Sequence, residues 1–197
     1  MSVDLGVLYR GARERVCELV HDDVAELGVP ATPRWTVHDV VAHVAGVVED
    51  GLSGNMAGAP GEAWTAAQVE RGRDTPVSRL VADWTAASPM MEAFLSSPDG
   101  GRVWQAVADL HTHECDLRSA LGLRLQMPDE FLAWIQPILS DGFADLVEAP
   151  AIEWFRGRFG RRTVDEVRDY DWMVDPEPHL DTFFIFGPAE QSLGERA

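Results

Sequence analysis

The amino-acid sequence predicts a mainly α-helical protein: an antiparallel four-helix bundle followed by a short C-terminal extension that includes a strand or extended segment. Two observations carry this reading. Apolar residues recur at helical spacing through several long stretches, and glycine or proline punctuates the short connections between them. A third observation sets the boundary. After Pro150 the chain becomes rich in aromatic residues and arginine, so residues 1–148 are read as the bundle and residues 149–197 as an extension packed on it. The extension is short for an independent core.

The elements follow in order. Leu5, Leu8, Val16, Leu19, Val20, Val24 and Leu27 mark a first helix, which Gly28 and Pro30 stop. Thr36 is an N-cap candidate, with Asp39 placed to complete a capping box. Val37, Val40, Val41, Val44, Val47 and Val48 then form one apolar stripe, where packing must override the modest helix propensity of valine. Gly51 to Gly61 reads as a loop, and 63–73 as a short helix. Pro76 opens a helix to about Ser97, with Pro89 inside it as an expected kink. Another helix spans about Arg102 to Leu121, capped by Gly122, and Pro128 starts a last one ending near Val147. His179–Phe186 is apolar and aromatic and reads as strand or extended chain.

Composition excludes several functions. The net charge of −17, from 16 basic and 33 acidic residues, repels phosphate backbones and argues against nucleic acid as a partner. No apolar run reaches the ~20 residues that span a bilayer, and the first residues lack a signal-peptide pattern. The expectation is a cytoplasmic protein with no membrane partner, for which a homodimer is one allowed assembly. All the basic residues are arginine, a bias that suggests a G+C-rich genome. Cys17 and Cys115 form no CxxC pair and read as buried fillers. No GxGxxG, P-loop or GxSxG motif is present.

The chemistry-bearing stretch is Asp109-Leu-His111-Thr-His113-Glu-Cys-Asp116. At about 100° per residue, Asp109 and His113 share one border of the apolar stripe, with Asp116 beside them. His111 lies about 160° from His113, so the His-x-His pair is no helical chelate. His43 borders the valine stripe of the earlier helix, and Gly46 beside it would leave room in an inter-helix cleft. Two imidazoles and a carboxylate suit Zn²⁺, Ni²⁺ or Fe²⁺. The same three residues could equally serve as separate polar groups with local hydrogen bonds.

Trp35-Thr-Val-His-Asp39-Val-Val-Ala-His43-Val-Ala-Gly46 and Asp109-x-x-x-His113-x-x-Asp116-Leu117 resemble two signatures of the DinB-like, mycothiol-dependent maleylpyruvate isomerase family. The resemblance covers roughly residues 1–148. It implies a bundle with a divalent metal, usually zinc, held by His43, Asp109 and His113, and with mycothiol as cosubstrate. The family carboxylate is typically Glu, where this chain has the shorter Asp109. The implied reaction is addition of the thiol to, or its transfer onto, a small-molecule electrophile. An actinobacterial host, where mycothiol is made, fits the arginine-only composition. The isomerase carries a larger C-terminal domain than the extension seen here, which points to thiol transfer or an unassigned activity rather than isomerisation. The alternative is a non-catalytic DinB-like bundle that has lost the metal and binds a small ligand or a protein partner.

Other residues take plainer readings. Glu114 and Arg118 read as an ion pair, His38 as a helix-start residue, and His179 as a turn residue. Trp64, Trp84, Trp104 and Trp134 read as core anchors. Arg156, Arg158, Arg161 and Arg162 are candidates to bind an anionic cosubstrate or to neutralise local acids.

Overall fold

The computed structural model describes residues 3–194. It is mainly helical, and its contacts divide it into two compact units, one ending at Arg124 and the other beginning at Leu125. The division therefore falls before the last long helix of the sequence reading rather than at residue 148.

The first unit contains helices α1 (Leu5–Leu19), α2 (Val37–Ser53), α3 (Glu62–Gly72), α4 (Val77–Leu95) and α5 (Trp104–Ala120). The four long ones close a ring: α1 packs on α4 and α5, and α2 packs on the same two. The short α3 lies against α2. Val37, Val40, Val41, Val44 and Val48 of α2 are all buried. A buried valine contributes roughly 1.5–3 kcal/mol, which outweighs its propensity cost of under about 1 kcal/mol.

Several ends follow local rules. Thr36 caps α2 with the expected box: Thr36 Oγ1 accepts from the Asp39 amide at 3.3 Å, and Asp39 Oδ2 accepts from the Thr36 amide at 2.9 Å. Gly54 and Gly122 take the left-handed conformation beyond α2 and α5. The first helix ends at Leu19, earlier than the apolar periodicity indicates, because the chain turns extended at Val20 and His21. That departure brings Asp22 to the start of α4, where its carboxylate accepts from the Ser78 amide at 2.9 Å and the Ser78 hydroxyl at 2.8 Å. A capping bond made by a distant residue is invisible to periodicity. Helix α4 continues through Pro89, which is exposed, so water can reach the carbonyl that loses its partner there.

Two buried glutamates tie the ring together. Glu92 of α4 accepts from Arg10 Nε at 2.7 Å and Arg13 Nε at 3.0 Å, both on α1. Glu114 of α5 accepts from Arg15 Nε and Nη2 of α1 at 2.8 and 2.7 Å, and from Arg118 Nε at 3.1 Å. Trp84 is a core anchor whose indole donates to the Tyr9 hydroxyl at 3.2 Å.

The second unit contains α6 (Asp129–Leu139), strand β1 (Val147–Glu148), α7 (Ala151–Arg158), α8 (Val164–Arg168), strand β2 (Asp171–Trp172) and α9 (Glu177–Phe183). The strands pair antiparallel, with Val147 opposite Trp172 and Glu148 opposite Asp171. Phe143, Val147, Trp154, Val167, Leu180 and Phe183 form its core. The expected strand at His179–Phe186 is a helix over most of its length, and the chain is extended only from Phe184. The run is short, so period alone cannot separate the two forms. Leu180 and Phe183, three residues apart, both reach the core from one helical face.

Removing Glu92 leaves Arg13 buried without its carboxylate, so Glu92→Ala is expected to destabilise the protein by about 3 kcal/mol. Urea unfolding of the variant and the wild type measures it, and a loss below about 1 kcal/mol contradicts this account of the α1–α4 contact.

Candidate metal centre

The site is assembled from two bundle helices and a loop. His43 lies on the second turn of α2, and Asp109 and His113 lie one turn apart on α5. His43 Nε2 is 3.3 Å from Asp109 Oδ2, and His113 Nε2 is 3.6 Å from Asp109 Oδ1. The three ligand atoms all lie within 4.8 Å of one another. Ligands about 2.0–2.1 Å from a tetrahedral zinc stand about 3.3–3.4 Å apart, so the donor types suit such an ion and the side chains would have to draw in to hold it. The sequence-proposed trio is thus brought together.

The rings are enclosed unequally. His43 and His113 are buried, whereas the Asp109 side chain is 38 % exposed and opens the trio to solvent. The segment before α2 supplies a cover. The Val29 amide donates to the Trp35 carbonyl at 3.0 Å, and Gly28 bridges Thr36. This places the Trp35 ring 5.9 Å from His113, stacked at 27°, and 5.3 Å from His43. The two imidazoles meet edge to face at 5.1 Å.

Each histidine has a polar neighbour behind it. His43 Nδ1 is 2.7 Å from Gln68 Oε1. His113 Nδ1 approaches Asp116 Oδ2 at 3.2 Å, off the hydrogen-bond axis, so the contact is electrostatic. An amide oxygen that accepts from the far nitrogen of a ligand-type histidine orients the ring, as Gln68 does for His43. Burial disfavours a charged His43, but the Asp109 charge and the hydrogen bonds to Asp109 and Gln68 outweigh it. The His43 pKa therefore lies above the ordinary 6.5.

His111 takes no part. Its Nδ1–H donates to the Val107 carbonyl at 2.8 Å, and burial lowers its pKa to about 3, so it stays neutral. His38 donates from Nε2 to the Thr75 carbonyl at 2.9 Å, and His179 stacks on Trp172. Arg162 grips Glu153 with two bonds of 2.7 and 2.9 Å, and Arg158 lies over the Phe143 ring at 4.9 Å while donating to the Phe183 carbonyl. These arginines serve their own unit. Neither cysteine is in a disulfide; Cys115 is buried, and Cys17 is half-buried with its pKa raised by burial.

Gly46 serves differently from the expected opening in the cleft. A Cβ there would stand 2.8 Å from Gln68 Cβ and Cγ, so the missing side chain admits α3 and the stem of Gln68. Sequence reasoning missed Gln68, since nothing in α3 marks it. Asp50, which binds Gln68, lies seven residues after His43 on the same helical face, and that spacing was the available signal. A cavity of about 620 Å³ between α2, α3 and α4 has Gln68 and Arg71 in its wall but none of the trio. The trio meets solvent at the exposed edge of Asp109.

A helical bundle in which two histidines and a carboxylate could hold a metal ion defines the general class of this protein. The model of the mycothiol maleylpyruvate isomerase N-terminal domain matches residues 10–126, more than half of the chain, and the chain belongs to that family. No curated protein and no solved structure matches it significantly. Among the described residues, no helix is long and apolar enough to cross a membrane.

Gly46→Ala is expected to cost about 1–3 kcal/mol by forcing α3 away from α2. Denaturant unfolding checks this, and an unchanged midpoint contradicts the close approach.

Proposed function

We propose that this protein is a metal-dependent enzyme that uses a low-molecular-weight thiol of the mycothiol type against a small electrophile. The observation that carries the reading is the convergence of His43, Asp109 and His113 in a chain of this family. These three residues would hold the ion; two imidazoles with one carboxylate suit zinc, nickel or iron(II), and the family resemblance favours zinc. A divalent ion there would lower the pKa of a thiol bound beside it and present the sulfur as thiolate.

The chain's own residues define what else happens at the site. Trp35 covers the two rings and keeps water from that side, while the exposed edge of Asp109 leaves the approach for thiol and electrophile. Gln68 holds the His43 ring in direction, and the Asp116 carboxylate lies beside Nδ1 of His113. Attack of the sulfur on a conjugated double bond forms a carbon–sulfur bond and moves an electron pair into the conjugated system. Rotation and loss of the thiol then give an isomer, whereas protonation of the carbon leaves a thioether.

Metal analysis after reconstitution tests the reading. About one equivalent of zinc is expected for the wild type, none for His113→Ala, and near wild-type loading for His111→Ala. Loading of the wild type below ~0.2 equivalents would sink the proposal and favour a bundle that binds a ligand or partner without metal. The loaded protein should consume thiol in the presence of an activated alkene, and a chelator should stop it.

A further inference from the structure

His43 has a second polar neighbour besides Asp109, and the bonding of that neighbour leaves it one orientation. Gln68 of α3 is 1 % exposed. Its amide nitrogen donates to Asp50 Oδ2 at 2.8 Å. A carboxylate can only accept, so the NH₂ group must face Asp50 and the carbonyl oxygen must face His43. That oxygen in turn can only accept, so it takes the Nδ1–H of His43 and competes with the Asp109 carboxylate for the single proton of a neutral ring. The other nitrogen, Nε2, is then the one directed at Asp109.

Asp50 is itself fixed. It is 2 % exposed, and its Oδ1 accepts from Arg71 Nη2 at 2.7 Å and Asn55 Nδ2 at 2.8 Å. The two oxygens thus have separate duties, Oδ1 toward Arg71 and Asn55 and Oδ2 toward Gln68. The lack of a Cβ at Gly46 lets the Gln68 stem approach α2 closely enough to make the chain of bonds.

We propose that Gln68 is a positioning residue: held by Asp50, it fixes the ring direction of His43 and favours a proton on Nδ1, so that Nε2 is presented to the point shared with Asp109 and His113. The consequence for metal affinity rests on the metal-site reading above, whereas the consequence for the ring does not.

Two measurements test this separately. In the metal-free protein at alkaline pH, where the ring is neutral, ¹⁵N NMR of the His43 ring should report a proton shared between Nδ1, facing Gln68, and Nε2, facing Asp109. In Gln68→Met, which is similar in size but has no amide, the proton should redistribute toward Nε2. In a Co²⁺ titration followed by visible absorption, Gln68→Met should bind about 10- to 100-fold more weakly than the wild type.

The pair Asp50→Asn with Gln68→Glu exchanges amide and carboxylate. It keeps an acceptor at His43, a donor between the two residues, and an acceptor for Arg71 and Asn55. This double variant should recover the Nδ1 proton and most of the Co²⁺ affinity, a rescue that a merely space-filling Gln68 would not produce. A tautomer unchanged in Gln68→Met, or a double variant that restores nothing while folded, overturns the proposal. A wild type that takes up no Co²⁺ while its tautomer still depends on Gln68 overturns the metal reading and upholds the positioning.

Discussion

A buried imidazole must find partners for both ring nitrogens, and His43 finds them on two different helices. Asp109 of α5 lies at one edge and Gln68 of α3 at the other. Leaving either nitrogen without a partner would cost about 1–3 kcal/mol, more if the ring were charged. That demand fixes how closely α3 and α5 approach α2. Gly46 then has to lack a side chain, and Asp50 has to be buried, because Gln68 needs both to reach the ring.

The same demand accounts for the distribution of charge around the site. Asp50 can be buried as a carboxylate because Asn55, Gln68 and Arg71 supply it with hydrogen bonds, which together hold its pKa below the ordinary range against the opposing effect of burial. Asp109 is the more exposed acid, and it faces both histidines. The Trp35 ring shields the two imidazoles without bringing a further charge.

Much of this was legible in one dimension. Thr36 and Asp39 announce the start of α2 because a capping box is local. Asp109 and His113 could be paired, and His111 set aside, because helical rotation is fixed by the backbone. The end of α1 was not legible, since Asp22 leaves the helix to serve α4, 56 residues away. Nor was the helix over Glu177–Phe183, whose apolar run suits either period until Leu180 and Phe183 have a core to enter.

By itself, then, the sequence determined the helical class, the α2 cap and the ligand-type residues on each helix, because these depend on contacts within a turn or two. Only the tertiary structure decided which of those residues meet. The convergence of His43 with Asp109 and His113, the cover by Trp35 and the support from Gln68 all join positions far apart in the chain. Such pairings depend on how closely helices pack, which a single glycine at position 46 can set and no periodicity records.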